Sequence, residues 1–278
     1  LVADLTDRAD VHRVADRAAD CDVLVANAGV GADPPLADLT EESIDFSIDV
    51  NLRAPIVLSH RYAAERMAAG RAGQIVLVGS LAGLAASPGT RMYNATKFGL
   101  RGFALSFRQE LEGTGIGCTL VAPGFIRDAG MFADGGVELP AGVRTKSPAD
   151  VAAGVVRAIT HNPMEVYVSP AELRLASTLG TVAPALSALV QRKLNVTEAL
   201  NVIPSTTGAP EDFTTGWFSY AIPQGGVELY PVLNAASEVA GVEILWWSAT
   251  YGFGRYYVDT PPAASHLLGT QVGGGIKL

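Results

Sequence analysis

The sequence predicts an α/β fold, a doubly wound parallel sheet with helices on both faces, followed by a β-rich C-terminal segment. Three observations predict it. Short apolar runs recur at Asp22–Ala26, Gln74–Gly79 and Cys118–Ala122. Amphipathic stretches of helical length separate them, which implies parallel strands with crossover helices. After residue 195 the pattern changes to short aromatic runs between Gly, Pro and Thr turns.

In order, Thr6 to Ala19 reads as a charged amphipathic helix and residues 22–26 as a strand. Leu39 to Met67 holds two helices with Asn51 near their junction. Residues 74–79 form a strand, Tyr93 to Glu112 a long helix, and 116–122 a strand. Pro148 to Ile159 is a helix and Glu165–Val168 a short strand. Ala171 to Leu194 is an apolar helical stretch broken by Gly180 and Pro184, suited to a lid, an oligomer surface or packing on its own domain. Strands are expected at Val227–Leu233, Val242–Ser248 and Arg255–Val258.

The chemistry centres on Tyr93-Asn94-Ala95-Thr96-Lys97, with Ser80 upstream. On a helix, residues four apart share a face, so Tyr93 and Lys97 point together. A neighbouring ammonium favours the phenolate and is expected to lower the tyrosine pKa. A serine hydroxyl nearby can hold a carbonyl or alcohol oxygen against the phenol. That is a proton-transfer site for a carbonyl/alcohol pair.

Asn27-Ala28-Gly29 ends the first apolar run, Asn51 lies in Asp49-Val50-Asn51-Leu52-Arg53, and Pro123-Gly124 ends the third run. With Ser80 and Tyr-x-x-x-Lys, this ordered set resembles the short-chain dehydrogenase/reductase family over residues 1–195. The resemblance implies a Rossmann-like domain and an NAD(P)-dependent oxidoreductase that interconverts a secondary alcohol and a carbonyl. It implies Tyr93 as acid/base, Lys97 as its activator and ribose partner, and Ser80 as the group that orients the substrate oxygen. Asn51 would hold a water linked to Lys97. The cofactor, NAD or NADP, would be lined by Asp4, Leu5, Asn27, Ala28, Gly29, Tyr93, Lys97, Pro123, Gly124 and Ile126. Asp4 also suits a strand end and helix cap, and asparagine such as Asn51 caps helices well. A nucleotide-sugar epimerase or dehydratase, which also uses Tyr-x-x-x-Lys, is the competing enzyme class. The family pairs subunits through the helices at Tyr93 and after Asn51, so a homo-oligomer is expected as one arrangement.

Two departures from the family stand out. The Gly-rich cofactor loop would precede Asn27-Ala28-Gly29 by some fifty residues, whereas this sequence begins at Leu1, about where the third strand would run. The expectation is a truncated or chimeric chain, with a relic that binds no cofactor as the non-catalytic alternative. Gly269–Ile276 has the spacing of that loop but no strand before it, and reads as a flexible glycine-rich end. The second departure is Asp128, where the family often has a threonine that bonds the nicotinamide amide.

Composition agrees with an enzyme acting on a small molecule. The net charge of -8 argues against a nucleic-acid surface. Cys21 and Cys118 adjoin strands and read as buried thiols of a reducing, cytoplasmic compartment. His12, His60, His161 and His266 show no ligand spacing, so no metal site is expected. No apolar run has the ~18 residues of a membrane span. Of 20 basic residues only Arg255 and Lys277 follow residue 195. That asymmetry marks 196–278 as a separate, unassigned segment behind an incomplete 1–195 domain.

Overall fold

The computed structural model describes residues 1–31, 33–128 and 143–193, and three strands beyond them, Ile244–Trp247, Arg255–Tyr257 and Gly273–Ile276. The expected strand at 227–233 and most of the loop at 127–147 lie outside the described residues.

The chain runs β1 (Val2–Asp4), α1 (Arg8–Ala18), β2 (Val23–Ala26), α2 (Glu41–Ile48), a π-helical turn (Asp49–Arg53), α3 (Ala54–Ala68), β3 (Gly73–Val78), α4 (Arg91–Glu110), β4 (Ile116–Pro123), α5 (Pro148–His161) and β5 (Glu165–Val168). Two helices follow, α6 (Ala171–Val182) and α7 (Pro184–Lys193). Gly180 stays inside α6 instead of breaking it, and Pro184 opens α7, where its fixed φ and missing N–H cost nothing.

Helix starts follow local chemistry. Asp7 caps α1 by accepting from Ala9 and Asp10 amides, and Thr40 caps α2 at Ser43. Ser147 and Asp150 form a reciprocal capping box on α5, which ends in left-handed Asn162.

Four strands form a parallel sheet in the order β5-β4-β3-β2, a Rossmann-like arrangement. Alternate residues feed two cores, as the period of a strand requires. Leu24, Ala26, Ile75, Leu77 and Leu120 pack under α1, α3 and α4. Val23, Val25, Val76, Val78 and Val121 pack under α5. Beyond β2, Ile244–Trp247 (β6) runs parallel to it, and Gly273–Ile276 (β8) pairs antiparallel with β6. Arg255–Tyr257 (β7) pairs antiparallel with β1. Gly273–Ile276 is therefore extended and paired, unlike the flexible end expected from its glycines.

The amino ends of the strands are closed by Arg66, buried with its guanidinium on Cys21 and Ala72 carbonyls and Asp22. Cys21 and Cys118 are both buried free thiols, and burial pushes Cys118 up to about 12. The carboxyl ends of β2, β3 and β4 open together onto Asn27, Ser80 and Pro123. In open α/β sheets, ligands bind at that end.

Candidate active site

Strand β3 delivers Ser80. Its hydroxyl accepts from the Ala82 amide at 3.1 Å and so caps a short 3-10 turn, Leu81–Gly83. That turn lies hard against α4. A Cβ on Gly83 would sit 2.7 Å from the Lys97 carbonyl oxygen, so only glycine permits the contact.

Helix α4 presents Tyr93 and Lys97 one turn apart. The Lys97 ammonium lies 5.6 Å from the Tyr93 ring centroid and donates to the Val78 carbonyl at 3.1 Å. A Cβ on Gly29 would meet Asn51 Oδ1 at 3.2 Å and Lys97 Nζ at 3.4 Å. Gly29, Asn51, Ser80, Tyr93 and Lys97 therefore converge, although they arrive from two strand ends, the π-helical turn and α4.

Electrostatics differ from the expectation in one respect. Lys97 is buried, and desolvation lowers its pKa from 10.5 to about 8. The Tyr93 pKa is raised, not lowered: burial of the phenol dominates, and the hydrogen bond from Ser80 opposes it. The ammonium is committed to the Val78 carbonyl rather than to the phenol oxygen.

Asn51 sits in the π-helical turn, 1% exposed. Extra turns of this kind in a helix often mark functional positions. Its amide accepts from the Val30 N–H and donates to the Val30 carbonyl, both at 2.8 Å, and so pins the loop after Gly29.

The outer residues are placed less uniformly. Asp4 closes an Asx turn, accepting from the Thr6 amide at 2.9 Å and its hydroxyl at 2.7 Å. Leu5 places its side chain in the core at 1% exposure. Gly124 donates to the Val168 carbonyl, and a Cβ there would meet Ser169 Cβ at 3.1 Å. Ile126 bridges to Lys146 and packs on the α5 core. Asp128 has φ 73° and pairs with Arg127 at 3.1 Å.

Two residues given no role from the sequence organise this site. Asn94 donates to the Ala82 and Ala85 carbonyls at 2.8 and 3.1 Å and accepts from the Ser87 amide and the Thr90 hydroxyl. It ties the Ser80 loop to α4. Asp33, with its side chain 3% exposed, accepts from the Met92 amide at 2.7 Å and lies 3.9 Å from Arg91 Nε. Asn94 was visible inside the Tyr-x-x-x-Lys segment. Asp33 is followed only by Pro34-Pro35, a turn signal that names no distant partner.

A nicotinamide cofactor fits these residues on its ribose side. An ammonium has three donors. Among the described residues Lys97 donates to one acceptor, the Val78 carbonyl, and the absent Cβ of Gly29 leaves room beside it. For a pyrophosphate, no glycine-rich turn opens a helix among the described residues; α1 and α2 begin on Asp7 and Thr40.

A short chain dehydrogenase family model matches residues 1–136. Over 126 residues the chain is 36% identical to a 3-oxoacyl-(acyl-carrier-protein) reductase of Rickettsia conorii, covering 45% of this chain and 52% of the relative. Over 179 residues it is 31% identical to a ketoacyl reductase of a Nostoc species, covering 63% and 62%. The chain thus spans about half the length of the first of these relatives. Among solved structures, a short-chain dehydrogenase of Sphingobium yanoikuyae in complex with NADPH superposes with a TM-score of 0.54 at 23% identity, covering 75% of this chain and 77% of that one. That likeness is one of fold.

Proposed function

We propose, since residues 1–136 belong to the short-chain dehydrogenase/reductase family, that the protein interconverts a carbonyl and a secondary alcohol. The observation that carries the reading is the convergence of Ser80, Tyr93 and buried Lys97 at the carboxyl end of β3.

NAD or NADP, when bound, supplies or accepts the hydride. The protein's own residues do the rest. Ser80 holds the substrate oxygen beside the phenol. Tyr93 passes its proton to that oxygen in reduction and takes it back in oxidation. Its raised pKa keeps it protonated in the absence of ligand, which suits the acid role. Lys97 anchors the ribose and stabilises the phenolate left after transfer. Asn51 holds the Val30 backbone, and with it the wall beside Gly29.

The relatives' names favour a 3-oxoacyl thioester among carbonyl substrates. We also take residues 196–278 as a β-rich segment appended to the 1–195 domain; limited proteolysis releasing a stable core that ends near residue 195 supports the division, and a resistant full chain overturns it.

Tyr93→Phe in the full-length protein tests the assignment. Loss of ketone reduction by ~10²–10⁴-fold, with NADH affinity unchanged, is expected. Retained turnover would sink it.

A further inference from the structure

Helices α6 and α7 are built inside out. The contacts that tie them to the Leu84–Ala86 loop are made by small or polar residues. Thr181 donates to the Leu84 carbonyl at 2.6 Å, and Gln191 donates to the Ala86 carbonyl at 2.9 Å. Buried Gly180 lies against Ala85, whose Cβ would be 2.8 Å from an added methyl. All the large apolar side chains except partly buried Leu173 point away. Leu175 is 72% and Val182 79% exposed, and Leu179, Leu186, Leu189 and Val190 are each about half exposed. On α6 the outward stripe has the spacing i, i+4, i+7 (Leu175, Leu179, Val182). On α7 it runs Leu186, Leu189, Val190, Lys193. Scattered exposed leucines need no explanation, but a contiguous apolar face does.

Charge indicates what covers it. The chain carries a net -8, yet this hairpin is locally basic. Its one carboxylate, Glu172, is held by the Arg144 fork at 2.8 and 2.7 Å, which brings its pKa down to about 2. Arg174 stacks on Tyr167 at 4.3 Å from the ring centroid, and neither it nor Arg192 nor Lys193 has a carboxylate partner among the described residues. Leucine and valine outward with arginine and lysine beside them is the pattern of a helix lying in a membrane interface. No described helix is long and apolar enough to cross a membrane, so the hairpin would lie on the surface.

We propose that α6–α7 docks on an anionic lipid bilayer. The hairpin is bonded to the Leu81–Ala86 loop that follows Ser80, so docking sets the catalytic loop at the bilayer surface. Resting on the proposed reductase function, this narrows the substrate to 3-oxoacyl compounds whose acyl chain partitions into lipid.

Sedimentation of the full protein with phosphatidylcholine vesicles, with and without phosphatidylglycerol, tests it. Binding to the anionic vesicles, at least tenfold weaker to neutral ones, is expected. Leu175→Glu with Val182→Glu should abolish sedimentation while leaving the circular dichroism spectrum unchanged, since both side chains are exposed. Arg192→Glu with Lys193→Glu should remove the preference for anionic lipid. Absence of wild-type binding overturns the proposal. So does a self-associated wild type that the Leu175/Val182 variant converts to monomer, because the face would then join two copies of the chain. Sedimentation does not depend on turnover, so its failure is distinct from failure of the reductase reading.

Discussion

Asp33 Oδ2 accepts a 2.7 Å hydrogen bond from the Met92 amide, so a carboxylate from the loop after β2 caps the helix that carries Tyr93. Thr90, the local N-cap, makes no side-chain cap bond, which leaves the task to Asp33. The same loop is held by Arg91, which donates to the Pro34 carbonyl at 2.6 Å. Asp33→Ala should cost ~0.5–2 kcal/mol, the usual loss for a cap. Turnover should fall further than that stability loss explains, because Tyr93 follows Met92 directly. Denaturant unfolding and kcat, measured on the same preparations, check both. Unchanged kcat at reduced stability would confine Asp33 to a structural role.

Lys97 gives a prediction with a definite pH sign. Its folded pKa, about 8, is below the ordinary 10.5 because burial disfavours the charged form. Below pH 8 both folded and unfolded states hold the proton, and the folded state bears the full desolvation cost. Between about pH 8 and 10.5 the unfolded state still binds the proton that the folded state has released, so stability rises with pH. At 1.36 kcal/mol per pKa unit the cost is on the order of 3 kcal/mol. Lys97→Met should therefore raise the melting temperature of the ligand-free protein at pH 7, by an amount that shrinks toward pH 10, while turnover falls. A variant less stable than wild type at pH 7 would contradict the sign.

The sheet and the site were legible in the sequence to different depths. Strands such as Leu24–Ala26 and Ile75–Val78 are apolar on both faces because helices cover both, and that continuity announces a buried parallel strand. Tyr93 and Lys97 share one face of α4, so local spacing suffices to bring them together, whereas Ser80 reaches them from the end of β3. The Tyr93 pKa was not legible, since it depends on how deeply the folded chain buries the phenol. Asp33 acts across 59 positions, and no periodicity records such a bond.

Asn94 connects the loop after Ser80 to helix α4. Four hydrogen bonds join it to Ala82, Ala85, Ser87 and Thr90, and it is 6% exposed. A buried polar group left without its partner costs ~1–3 kcal/mol. Asn94→Ala strands two carbonyls and an amide, so a loss of ~2–3 kcal/mol is expected in urea unfolding. The Ser80 loop should loosen first. Hydrogen exchange at the Ala82 and Ser87 amides should rise well before exchange in β3, and uniform acceleration across the domain would show that Asn94 serves the whole fold instead.

Gly29 allows the site to be disturbed with little effect on the fold. Its backbone is not in the left-handed region, so alanine there brings no torsional strain. The added Cβ would press on Asn51 Oδ1 at 3.2 Å and Lys97 Nζ at 3.4 Å, both polar ends of site residues. Asn51 is locked by its two bonds to Val30, so Lys97 is the side that moves. Gly29→Ala should change stability by less than about 1 kcal/mol, within the range of ordinary mild substitutions. Nicotinamide fluorescence titration with NADH and with NADPH should show both affinities reduced together, because the nicotinamide ribose that Lys97 is proposed to hold is common to the two. A loss confined to one cofactor would place Gly29 near the adenosine phosphate instead, and the fit of the ribose to Lys97 would fall with it.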